Sequence, residues 1–186
     1  MDWIDTSNNW EKRKEIVLKE VFVSFDELIK LSKSDLRKSL ATIKPEEIID
    51  FEYEKTEKEW KLSWQALWGQ LDLFEEIEPE LIIKKVPYKF FYKFKTKDEK
   101  IRRIGIEDWE IGALYWNCFK KTGNEEEAIK LVRKKYFNDF VQNKDLYFFV
   151  GTNYEWHMRK AKNPFMIIGL FYPPIIKEKE QLELQF

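Results

Sequence analysis

Three short stretches hold the side chains with the most chemistry in them. Glu107, Asp108 and Glu110 crowd into four positions, where carboxylates could hold Mg²⁺ or serve as a general base. A metal-dependent nuclease would need such a group beside a lysine, and Lys100 or the lysines of 89 to 95 are close in sequence. Asp98 and Lys100 fall in a predicted turn, however, and so match a restriction-nuclease signature poorly. Asp108 also stands where a helix cap is needed, with Glu110 in the first turn, where the helix macrodipole favours negative charge. Capping therefore explains this acidic corner more simply than catalysis does. No cofactor is expected, Mg²⁺ excepted if the nuclease reading holds.

The second stretch is NYEWHMRKAK, which contains the single histidine, His157. One histidine excludes multi-histidine metal sites and leaves a lone acid, base or stacking role. Trp156, His157, Arg159, Lys160 and Lys162 interleave rings with cations, a composition that stacks bases and neutralises phosphates, and also that of an ordinary exposed loop. The third stretch, Lys84 to Arg103, holds nine basic residues against Asp98 and Glu99 alone. Lys89, Lys93, Lys95, Arg102 and Arg103 are its candidate nucleic-acid contacts. Six glycines scattered singly build no phosphate loop, dinucleotide fingerprint or nucleophile elbow.

The net charge of −1 conceals a division along the 186 residues. Residues 1 to 80 carry 12 Lys and Arg against 20 Asp and Glu, a net of −8, whereas 81 to 186 carry 21 against 14, a net of +7. Either the basic half faces nucleic acid or the two halves complement each other. A composition of 44% hydrophobic and 36% charged residues suits a soluble globular chain of one domain or somewhat more, and the 17% aromatic content fills a core or presents stacking surface. The one cysteine, Cys118, excludes an internal disulfide and any zinc site built on cysteines. With no signal-like N-terminus and no apolar run of roughly 18 residues, a cytoplasmic protein away from membranes is expected.

Around these stretches the elements follow from periodicity. Tyr88, Phe90, Tyr92 and Phe94 alternate with Lys89, Phe91, Lys93 and Lys95, predicting a strand with one packed and one wet face. Thr96 to Lys100 reads as a five-residue hairpin loop into a second strand, Ile101 to Ile106, with Gly105 marking a bulge or a close approach. Asp108 caps a helix over Trp109 to Lys121; Gly123 and Asn124 punctuate a second helix striped by Ile129, Val132, Tyr136 and Phe140. Asp145 to Val150 and Phe165 to Tyr172 read as central strands. In the first half, Ser24 and Glu27 form a capping box for a helix over Phe25 to Ser32. Ile48 to Glu54 alternates as a strand, Ser39 to Lys44 is too mixed to assign, and Trp60, Trp64, Leu67, Trp68 and Leu71 make a helical stripe. The fold expected is α+β: a mixed or antiparallel sheet of about four strands with two helices, β-β-α-α-β-β, after an α-rich segment. The divisions are 1–80 acidic, 81–176 basic and 177–186 a charged tail.

Gln70-Leu71-Asp72-Leu73-Phe74 resembles the pentapeptide by which bacterial polymerases and repair proteins bind the sliding clamp. Gln181-Leu182-Glu183-Leu184-Gln185-Phe186 is similar to its looser six-residue form. The resemblance implies a clamp partner held by Gln70, Leu73 and Phe74 or by Gln181, Leu184 and Phe186. Separately, YKFFYKF, IEDWEIG, FFVGT and IIGLFYPP, between about Pro87 and Pro174, resemble the C-terminal region of an uncharacterised prokaryotic family. Many members of that family carry Cys and His where this chain has Lys95 to Arg103, so no metal role carries over. The expected function is a nucleic-acid-associated accessory protein, tethered to a clamp by its tail; the alternatives are a non-catalytic interaction subunit and a metal-dependent nuclease.

Overall fold

A computed structural model describes residues 10–62, 84–159 and 161–175. The alternation in YKFFYKFK forms the middle of its sheet. Strand β4 (Tyr88–Lys95) buries Phe90, Tyr92 and Phe94 and turns Lys89, Phe91, Lys93 and Lys95 to the other face. β5 (Ile101–Ile106) pairs with it antiparallel across the predicted five-residue loop, whose Glu99 takes the left-handed conformation at φ 58°. On the far side of β4 lies β3 (Glu47–Lys55), the expected alternating strand, antiparallel and outermost.

The sheet is larger than the sequence suggested. Seven strands run in the order β1-β2-β6-β7-β5-β4-β3, with β1 (Val21–Phe22), β2 (Leu40–Ile43), β6 (Tyr147–Thr152) and β7 (Phe165–Phe171) completing the set. Pairing is antiparallel except for β1 with β2 and β5 with β7, so the sheet is mixed. The estimate of about four strands and two helices is therefore corrected upward. The first half contributes three strands, two at one edge and one at the other. β1 and β2 have only two and four residues, too few to show a period of two.

Helices cover one face. α2 (Phe25–Ser32) begins as the capping box predicted, the Ser24 hydroxyl accepting from the Glu27 N–H. It sets Phe25 edge-on to Phe94 and Phe165 at 6.2 and 5.8 Å. α3 (Trp109–Thr122) starts at its Asp108 cap and ends at Gly123, φ 66°. α4 (Glu125–Arg133) starts at Asn124, whose side chain accepts from the Glu126 and Glu127 N–H groups. It continues through a π turn, Lys134–Asp139, into α5 (Phe140–Asn143). The predicted stripe of Ile129, Val132, Tyr136 and Phe140 is buried throughout. In the π turn the Tyr136 carbonyl accepts a 2.7 Å bond from the buried Tyr92 hydroxyl. From the same stretch, Arg133 donates to the Phe51 carbonyl of β3 and pairs with Asp50 at 2.7 Å. α1 (Trp10–Val17) precedes the sheet, tied by Lys14 to Asp145 at 3.2 Å, and α6 (Tyr154–Met158) stands between β6 and β7. The tryptophan stripe from Trp64 to Leu71 and both clamp-like peptides lie outside the described residues. No helix among the described residues is long and apolar enough to cross a membrane.

Candidate interaction surface

Most of the predicted cationic contacts are neutralised by carboxylates of the same chain. Arg103 bridges Glu52 at 2.6 Å and Glu54 at 2.5 Å, with its guanidinium 3.4 Å from the Phe91 ring centre. Lys95 pairs with Glu47 at 2.9 Å and with Glu99 at 3.5 Å. Arg102, its neighbour on β5, points to the helix-covered face, where it meets Asp98 at 2.6 Å and Asp26 at 2.7 Å. Its side chain is 11% exposed. Lys100 also reaches Asp26. Asp26, Glu47, Glu52 and Glu54 all belong to the acidic half, so the complementary charges along the chain meet within the sheet and between α2 and β5. Among the described residues Lys89 and Lys93 make no ion pair.

At the acidic corner, the Asp108 carboxylate accepts from the Glu110 N–H at 3.0 Å, the expected cap. Burial pushes the Asp108 carboxyl above its usual value against that bond, and burial likewise raises Glu107 against the attraction of Lys89. Among the described residues, no group of three or more His, Cys, Asp or Glu side chains is placed to hold a metal ion.

The opposite end of the sheet is different. β5 and β7 run parallel, with Ile106 beside Ile167, so the β4–β5 turn and the β6–β7 excursion leave the sheet at one end. There Thr152 pairs with Phe165, and Asn153 accepts from the N–H groups of Glu155 and Trp156 to start α6. On this five-residue helix Tyr154 is 76%, Trp156 43% and Met158 62% exposed. Three residues before Tyr154, Gly151 pairs with Leu40 of β2. A Cβ at Gly151 would stand 3.3 Å from both Leu40 Cδ2 and Ile168 Cδ1, so these side chains converge above it, 65% and 41% exposed respectively. Ile101, 61% exposed, opens β5 at the same end. Large apolar groups left in water at such density mark binding surfaces rather than core.

The sequence singled out Trp156, His157, Arg159 and Lys160 here. Trp156, His157 and Arg159 fall on or just after α6, and Lys160 lies outside the described residues. Lys93 and Arg103, mid-strand on β4 and β5, are paired with each other in register. Tyr154 and Met158 were legible as an i, i+4 pair in the same stretch but were not singled out. Leu40, Gly151 and Ile168 carry no signal in sequence, since only the β2–β6–β7 pairing brings them together.

Fold and surface together define an α+β protein of one mixed sheet, helices on one face and an apolar, ring-bearing excursion at one end. The chain belongs to the family described as Domain of unknown function (DUF8757), which matches residues 21–185. The segment from Pro87 to Pro174 pointed to an uncharacterised family, and the matched range extends back through β1, β2 and β3. No curated protein and no solved structure matches the chain.

Proposed function

We propose that the protein is a non-catalytic interaction subunit that binds a protein partner through the sheet end carrying α6. What carries the reading is the joint exposure of Tyr154, Trp156 and Met158 on one short helix. Trp, Tyr, Met and Arg are the residues enriched at protein interfaces, and a few well-placed aromatic anchors supply most of the binding energy. The internal neutralisation of Lys95, Arg102 and Arg103 supports it too, because those charges already have partners. Affinity purification of the wild-type chain and of a Tyr154→Ala/Trp156→Ala/Met158→Ala variant, after nuclease digestion, tests it. Partners retained by the first and lost by the second are expected; an unchanged retained set rules the reading out.

One observation favours nucleic acid as a second reading. Phe91 lies under Arg103 on a sheet face that also presents Lys89 and Lys93, and rings flanked by cations on a sheet are a stacking platform. Binding there would weaken steeply with salt. Fluorescence anisotropy with labelled single-stranded DNA and RNA showing no binding at low salt removes it. Clamp tethering is a separate proposal resting on the peptides alone: deletion of Gln181 to Phe186 should abolish clamp pull-down. A cytoplasmic location belongs to the same proposal and rests on cysteine usage.

A further inference from the structure

We infer that the partner segment received at α6 is acidic as well as apolar, its carboxylates meeting Arg159 and Lys162 while its aliphatic or aromatic side chains meet Tyr154, Trp156 and Met158. This rests on the protein-partner reading above. The cations of the β6–β7 excursion differ from four of those on β4, β5 and the turn between them. Lys95, Lys100, Arg102 and Arg103 have carboxylates of their own fold. Lys162 is exposed and makes no ion pair among the described residues. Arg159 has Glu155 at 3.7 Å, with both side chains in water, 76% and 71% exposed. Among the described residues from Asn153 to Asn163, Arg159 and Lys162 stand against Glu155, two charges less one, a net of +1.

That rim selects among occupants. A second copy of the chain would bring a like-charged rim against it, and like charges juxtaposed at an interface oppose association. Phosphates would suit the cations, and Tyr154 and Trp156 could stack on bases, but Met158, Leu40 and Ile168, 62%, 65% and 41% exposed, add aliphatic surface that a nucleic acid would leave uncovered. An acidic protein segment with apolar side chains satisfies both the aliphatic surface and the charge.

Anisotropy at physiological salt tests this on the purified full chain with three labelled probes. They are a peptide alternating Glu with Leu and Phe, its counterpart with Lys for every Glu, and a single-stranded DNA oligonucleotide. The acidic peptide should bind and the other two should not. Tyr154→Ala/Trp156→Ala/Met158→Ala should weaken that binding at least about tenfold. Arg159→Glu/Lys162→Glu should weaken it too and gain affinity for the Lys peptide. Far-UV circular dichroism and melting curves confirm that both variants fold, as expected for substitutions on an exposed helix and loop. Failure of the acidic peptide to bind, equal binding of the Lys peptide, or binding unchanged in either variant overturns the inference. If the purification above still yields partners sensitive to the triple substitution, only the acidic chemistry is lost; if it does not, the protein-partner reading falls as well. Binding of the oligonucleotide alone would assign the surface to nucleic acid. A dimer seen by light scattering and lost in the triple variant would assign it to a second copy, and each of these two results overturns the inference.

Discussion

Asp98 is the residue on which the hairpin and α2 jointly depend. Its carboxylate accepts from the Asp26 N–H at 3.1 Å, the Ser24 hydroxyl at 3.4 Å, the Lys100 N–H at 3.2 Å and both terminal nitrogens of Arg102 at 2.6 and 2.9 Å. Burial alone would raise its carboxyl, but the bonds from Arg102 and the two N–H groups outweigh burial and hold it well below the usual range. A carboxyl lowered on folding stabilises fully above its unfolded value, near 4, and its contribution is lost as pH falls below that toward the folded value. Wild-type stability to urea should therefore decline from about pH 4 downward, and Asp98→Ala should flatten the decline. At neutral pH the same variant should lose about 2 to 3 kcal/mol, because the largely buried Arg102 keeps Asp26 as its one carboxylate, beside the Lys100 carbonyl and the Thr96 hydroxyl. Tyr92→Phe should cost about 1 to 2 kcal/mol by urea denaturation, since it leaves the Tyr136 carbonyl of the π turn without its buried donor. Neither role was legible. Asp98 reads in sequence as a turn acid, and its helix partners lie more than 70 residues away.

Elements with strong local signals were read correctly, and for definable reasons. A period of two over eight residues fixed β4, and cap chemistry fixed the starts of α2, α3 and α4. Gly123→Ala should cost about 1 kcal/mol because the left-handed conformation there crowds a Cβ. Asn124→Ala should cost about as much by uncapping α4. Thermal melts of both would check this. β1 and β2 escaped notice because edge strands this short hold their shape through neighbours rather than through their own composition. α6 was hidden for the opposite reason. Its rings and cations were visible, but whether Tyr154, Trp156 and Met158 faced water or core depended on the paired strands beneath them. The bulge opposite Val150, which turns Ile168 outward, likewise arises from pairing.

At the scale of the molecule, the division into an acidic and a basic half becomes an arrangement in space. β3 brings Glu47, Glu52 and Glu54 alongside Lys95 and Arg103, while α2 brings Asp26 to Arg102. Individual exposed pairs of this kind add little stability, so their main effect is on which strands pair and in what register. A fragment beginning at Lys84 would lose β1, β2 and β3 and uncover Phe90, Tyr92 and Phe94 along with both flanks of the sheet. It should be insoluble or give a poorly dispersed NMR spectrum, and a soluble, well-dispersed fragment would show that the second half folds alone. Arg133 guards the sheet in a further way. By taking the Phe51 carbonyl and Asp50 it covers the middle of the outer edge of β3, the place where another chain could add as a new strand. Arg133→Ala should turn that strand into a template, visible as slow, concentration-dependent assembly that binds thioflavin T. One arginine side chain would then be the difference between a sheet that ends at seven strands and one that grows into a fibre.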